Sequence, residues 1–228
     1  MKDFSKLEKA LNTSFADKDL LKQAFVHRSY LNEHPDIGLE HNERLEFLGD
    51  AVLELAVTEY LYKNYSNPEG DLTSWRAALV NTKMLSKVAD ELGLNDYLLL
   101  SHGEARDTGR ARQYILANTV EALIGAIYLE HGYEGARDFI AKHMIKELPA
   151  ILKGKLYRDP KSSFQEEAQE RAGITPTYEV IKESGPDHDK TFVVGVYLEK
   201  EKVAEGTGSS KQEAQEEAAQ RALEVKGW

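Results

Sequence analysis

The sequence predicts an all-α domain followed by a small α+β domain of order α-β-β-β-α, on three observations. From Phe4 to about Leu152, apolar residues recur at spacings of three and four with almost no β-branched alternation, the periodicity of amphipathic helices. Over Gly154-Lys155-Leu156-Tyr157-Arg158-Asp159-Pro160 that periodicity lapses, and Gly and Pro mark a join. Beyond it Phe192, Val194, Val196 and Leu198 alternate with outward positions, which is strand spacing. The expected bounds are 1–153 for the helical domain, 154–158 for a linker and 159–228 for the α+β domain. A chain of 228 residues is long enough for two such cores.

The long helices are expected over Glu43 to Tyr65, Asp71 to Leu92, Arg112 to His131 and Gly135 to Leu152, punctuated by Pro68-Glu69-Gly70, Gly93 and Gly132. In the second domain Phe164, Ala168 and Ala172 mark a helix, and Thr177 to Lys182 a first strand. A hairpin follows, turning at Lys200-Glu201-Lys202 and returning over Val203 to Gly208. Ser210, with Glu213 three residues on, reads as a capping box that opens a last helix. Ala214, Ala218, Ala222 and Leu223 form the inner face of that helix.

The chain has no cysteine, which excludes disulfides, thiolate zinc sites and cysteine nucleophiles. No segment reads as a signal peptide or membrane span, so a soluble, cytoplasmic protein without membrane contact is expected. The net charge is −10. Up to Arg158 there are 20 basic and 24 acidic residues (−4), and beyond it 9 and 15 (−6). A polyanion partner must then be held by a few placed side chains, backbone amides and helix N-termini rather than by a general positive field.

Glu43, Glu46, Asp50 and Glu54 stand at i, i+3, i+7 and i+11, within roughly 80° on a helix that turns about 100° per residue. Leu45, Phe47, Leu48, Ala51, Val52, Leu53, Leu55, Ala56 and Val57 surround this stripe, so the helix is expected to be buried nearly all round. Crowded carboxylates in a poorly solvated place must be protonated, paired or ligating a metal. Between Ile115 and Leu129, Glu121 is the only ionisable side chain apart from a tyrosine, and Asn118 precedes it by one turn. Two facing helices with oxygen ligands at such spacings form divalent carboxylate sites. With no histidine among them, the set suits Mg²⁺, with Mn²⁺ as substitute. The plainer readings are a solvated acidic helix face and an interior glutamate paired with an arginine.

The run His41-Asn42-Glu43-Arg44-Leu45-Glu46-Phe47-Leu48-Gly49-Asp50-Ala51-Val52-Leu53 resembles the signature of the ribonuclease III family. So do Phe25-Val26-His27-Arg28-Ser29-Tyr30, Glu69-Gly70-Asp71, Gly103-Glu104 and Ile115 to Ala122. The C-terminal part resembles a double-stranded RNA-binding domain, and the order is that of the short bacterial form of the family. The fold class this implies is an all-α endonuclease domain followed by a small α-β-β-β-α double-stranded RNA-binding domain.

The resemblance implies that Glu46, Asp50, Asn118 and Glu121 hold the metal, with Asp50 and Glu121 catalytic and Glu43, Glu69 and Glu104 in support. It further implies metal-assisted hydrolysis of double-stranded RNA to 5′-phosphate and 3′-hydroxyl ends with short 3′ overhangs, in rRNA and mRNA processing. No small-molecule cofactor is implied. A homodimer is implied as well, with Phe47 as the aromatic knob that enters the partner. Asn118 departs from the usual Asp: its oxygen can ligate a cation but brings no charge. RNA contact is implied for Gln165 and Gln169 in one minor groove, for His188 in the Gly185-Pro186-Asp187-His188 loop, and for Ser209, Ser210 and Lys211 at the phosphates. Gln212 and Gln215 stand where the family often has lysine, so weak affinity and a shallow salt slope are expected. Arg106, Arg110 and Arg112 are further phosphate candidates. Two other readings are a catalytically silent RNA-binding module and a helical metallo-hydrolase of small phosphorylated molecules.

Overall fold

The computed structural model describes residues 2–106, 108–154, 157, 159–186 and 190–228. It divides into two compact units, Met1–Tyr157 and Arg158–Trp228.

The first unit is helical: α1 Phe4–Leu11, α2 Lys18–Gln23, α3 Arg28–Glu33, α4 Glu43–Asn64, α5 Glu69–Val80, α6 Thr82–Glu91, α7 His102–Arg106, α8 Arg110–His143 and α9 Leu148–Lys153. Its core lies where α4 and α8 cross, with Leu53, Val57 and Leu61 buried in one cluster with Val120, Leu123 and Ile124. Burying each such side chain contributes about 1.5–3 kcal/mol. The start of α4 is fixed by buried Asn42, whose backbone N–H donates to Val26 at 2.9 Å and whose side chain donates to the Ala24 carbonyl at 3.2 Å. The Val26 segment is itself held by a parallel bridge to Leu99.

Glycine permits the crossing. A Cβ on Gly49 would overlap the Glu121 carbonyl oxygen and come within 2.8 Å of the Gly125 nitrogen; one on Gly125 would overlap the Leu45 carbonyl oxygen. The helices thus meet backbone to backbone, an approach open only to residues without a side chain.

Several elements differ from expectation. The helix expected over Asp71 to Leu92 breaks at Asn81 (ψ 159°), whose side chain caps α6 by accepting from the Met84 N–H. Asn favours such caps over helix interiors because its short side chain competes for backbone groups. The expected Gly135 to Leu152 helix stops at His143 and restarts at Leu148. Pro149 has no N–H and clashes with the carbonyl four residues earlier, so it serves in a first turn instead. Arg112 to His131 begins earlier, at Arg110, and continues past a kink at Gly132. Tyr157, expected in the linker, packs edge-on against Trp75 at 6.0 Å. α4 is not buried all round, for Phe47 and Tyr62 are each 81 % exposed and Leu55 57 %. Among the described residues, no helix is long and apolar enough to cross a membrane.

In the second unit, α10 (Pro160–Ala172) and α11 (Lys211–Lys226) back an antiparallel sheet of order β1-β2-β3: Thr177–Ser184, Thr191–Leu198 and Glu201–Gly208. Val196 and Leu198 pack on Phe164, Ala168, Ala218 and Ala222, so one sheet face is covered. The β2–β3 turn is Glu199-Lys200 rather than Lys200 to Lys202, because Leu198 already pairs with Glu201; Glu199 takes the left-handed conformation (φ 53°) that tight hairpins demand.

Gly49→Ala is expected to destabilise the protein by about 3 kcal/mol, the upper range for overpacking a close contact. A lower urea midpoint at unchanged slope would register it; an unmoved midpoint would mean that the helices separate without cost.

Candidate active site

Around the glycine crossing, α4 carries Glu46 and Asp50 on either side of Gly49, and α8 carries Asn118 and Glu121 ahead of Gly125. Glu46, Asn118 and Glu121 are part-buried, while Asp50 is exposed. Burial pushes the Glu121 carboxyl up to about 7, with the charge of Asp50 and then that of Glu46 adding to it. Glu46 is raised by burial and by Glu43 and Asp50, and a hydrogen bond from Asn118 opposes this. The structure therefore brings Glu46, Asp50, Asn118 and Glu121 together as an oxygen-only set. They are not closed into a ligand shell: among the described residues, no three His, Asp or Glu are grouped tightly enough to hold an ion.

The rest of the acidic stripe goes elsewhere. Glu54 pairs with Arg76 at 3.2 Å. Glu43 is exposed, with Arg28 and His41 at 3.8 and 3.7 Å. Burial lowers the pKa of His27, opposed by the charges of Glu104 and Glu43, which places both acids beside that imidazole. Glu69 opens α5 and lines a groove of about 870 Å³ with Tyr62, Leu72 and Arg76, a groove that none of Glu46, Asp50 and Glu121 lines. Arg112 is no loop arginine: its guanidinium donates to Asn95 Oδ1 at 2.8 Å and to the Glu104 carbonyl at 2.6 Å. Gly125 was not singled out by sequence reading, although a glycine one turn after a lone buried acid was the available signal.

In the second unit Gln165 and Gln169 are exposed on α10, and Gln169 donates to Thr175 Oγ1 at 3.0 Å. Ser209 donates to Glu213 through both N–H and Oγ (3.0 and 2.6 Å), and the Glu213 N–H donates to Ser210 Oγ at 3.2 Å. This is the expected capping box, with Glu213 reaching one residue further back. Lys211 is exposed in the first turn of α11. His188 lies outside the described residues.

A helical unit with clustered acids at a glycine crossing is thus followed by an α-β-β-β-α unit. A family profile described as Ribonuclease-III-like matches residues 17–148, and one described as Double-stranded RNA binding motif matches residues 160–226. Curated relatives named Ribonuclease 3 include one from Nitratiruptor sp., 44 % identical over 99 % of this chain and 97 % of its own length. Another, from Natranaerobius thermophilus, is 47 % identical over 92 % of this chain and 91 % of its own. A solved nuclease domain from Campylobacter jejuni covers 64 % of this chain and 99 % of its own at 44 % identity, with a TM-score of 0.58. The chain belongs to the ribonuclease III family and is a double-strand-specific endoribonuclease.

The raised Glu121 carboxyl gives a pH prediction for the metal-free protein. Its folded pKa of about 7 lies above the ordinary 4.5, so the folded chain binds more protons between those values and loses stability as pH rises through that window. Glu121→Gln is expected to stabilise the protein in EDTA at pH 8 by about 2 kcal/mol, allowing for partial solvent screening, and to change little near pH 4.5. Denaturant titration at both pH values checks this; equal effects at the two would show that the carboxyl is not raised.

Proposed function

We propose that the chain hydrolyses backbone phosphodiesters of double-stranded RNA with divalent ions, Mg²⁺ or Mn²⁺, held by Glu46, Asp50, Asn118 and Glu121. The observation that carries this reading is Glu121, a part-buried carboxyl facing two further carboxylates across a backbone-to-backbone crossing. Such a cluster is costly unless a cation offsets it, and an all-oxygen donor set suits a hard ion. The bound ion would activate water and offset charge on the phosphoryl and leaving oxygens.

The chain's own residues do the positioning. The Asn118 side chain beside Glu46 favours its ionised form, and the amide oxygen of Asn118 would serve as a neutral ligand. Asp50, exposed beside them, faces the solvent from which water and substrate come. Ionised Glu121 is the ligating form, so occupancy of the site rises with pH through about 7. Glu43 and Glu104 flank His27 at the edge of the cluster. Glu69 lines a groove that none of Glu46, Asp50 and Glu121 lines, and its proposed role is one of support.

A homodimer is part of the proposal. Phe47, Leu55 and Tyr62 leave an apolar stripe exposed on α4, which a second copy would cover, with Phe47 as the knob. The Campylobacter jejuni relative is described as having a region involved in dimer formation of its nuclease domain. Two sites acting on opposite strands would leave 5′ phosphates, 3′ hydroxyls and short 3′ overhangs. Gln165, Gln169, His188, Ser209, Ser210 and Lys211 are the proposed RNA contacts, and rRNA and mRNA processing in the cytoplasm is the proposed setting.

The test is cleavage of a labelled RNA duplex with Mg²⁺ and with EDTA. Products with short 3′ overhangs are expected only with metal, and Glu121→Ala is expected to bind without cutting. Cleavage in EDTA, or by Glu121→Ala, would overturn the assignment. Asn118→Asp adds a charge to the ligand set and is expected to lower the Mg²⁺ concentration at half-maximal rate; an unchanged metal titration would place Asn118 away from the ion.

A further inference from the structure

The face of the second unit that carries Lys211 has a cleft of about 590 Å³ between the first turns of α10 and α11, floored by Tyr178 of β1. Gln212 and Gln215 line it from α11, and Lys161 enters it from α10. The Lys161 ammonium donates to Gln215 Oε1 at 2.7 Å and lies 5.3 Å from the centroid of the Tyr178 ring. Lys161 thus brings a positive charge to the side chain of Gln215, although it stands 54 residues away in sequence.

The acids of the cleft are already engaged. Asp159 caps α10, accepting from the Ser162 N–H and Oγ at 2.9 and 2.7 Å, and Glu216 accepts from Gln212 Nε2 at 2.9 Å. A lysine has three donors and no acceptor, so its bond to Gln215 fixes that amide with the carbonyl toward Lys161 and leaves the –NH₂ donors for another partner. The cleft therefore presents two ammonium groups, from Lys161 and Lys211, and the amide donors of Gln215, beside the Asp159 and Glu216 carboxylates that hydrogen bonds from their own helices already occupy; ammonium and amide donors are the groups that meet phosphate oxygens.

We infer that Lys161 is a phosphate-contacting residue of the duplex RNA surface, forming with Lys211 a two-helix clamp in which the ammonium from α10 supplies the charge that Gln215 lacks. This rests on the duplex-binding reading of the second unit. The clamp raises the number of lysines meeting phosphate at this edge from one to two, and the salt dependence of binding with it.

The experiment measures affinity of the full-length chain for a perfect RNA duplex of about twenty base pairs, longer than the ~16 that such a domain spans, in EDTA at several salt concentrations. Lys161→Met keeps an aliphatic stem over Tyr178 and removes the charge; Lys161→Arg restores it. Lys161→Met is expected to weaken binding about fivefold at about 0.15 M salt, as for one exposed ion pair, and to make the slope of log K against log salt shallower by about one. Lys161→Arg should recover both. A slope unchanged in Lys161→Met overturns the inference even if affinity falls, because loss of a helix-to-helix staple weakens binding without altering the count of ions released. Thermal melting of both variants by circular dichroism shows whether the domain is folded. Failure of the unsubstituted chain to bind the duplex would instead sink the duplex-binding reading itself.

Discussion

The contact between Gly49 and Gly125 is the constraint on which the rest of the first unit depends. Without side chains at these positions, α4 and α8 approach until the Gly49 and Glu121 backbones touch. Glu46 and Asp50 flank one glycine and Glu121 precedes the other by a turn, so the same contact that closes the core presses three carboxylates together. Asn42, held by Ala24 and Val26, sets where α4 begins and hence its rotation. Stability gained from apolar burial is thus partly spent on holding charges where they repel, a recurrent property of functional sites.

The same helix also links the acids to the surface. Phe47 lies between Glu46 and Asp50 in sequence but is 81 % exposed, because one residue turns the helix by about 100°. α4 therefore shows three faces: apolar toward α8, acidic at the crossing and apolar to solvent. In the proposed dimer a second copy would cover the third face.

Residues 159–228 carry a charge of −6 in a fold that handles a polyanion. Local arrangement resolves this. Over a Debye length of about 8 Å, what matters is which charges remain unmatched on the contacting face. Asp159 and Glu216 accept hydrogen bonds from their own helices, and Lys161 and Lys211 bring two positive charges to the same cleft. Net charge alone would have assigned this unit to a different class of partner.

Much of the fold was legible in the sequence because periodicity and turn chemistry are local: the helical unit, the sheet order and the Ser210 cap. Breaks at Asn81 and before Pro149 were missed because apolar spacing continues across both, and the backbone conformation of one residue decides them. For the site, the sequence by itself determined which acids were unusual, since a lone Glu121 in an apolar run and a stripe on one helix are visible without coordinates. Only the tertiary structure decided their fates. It sent Glu54 to Arg76, tied the Arg112 guanidinium to Asn95 and Glu104, placed Glu69 in a groove with Arg76 and carried Lys161 across to Gln215. Those contacts join residues on different elements, and the pattern along one element holds no information about which side chain of another will face it.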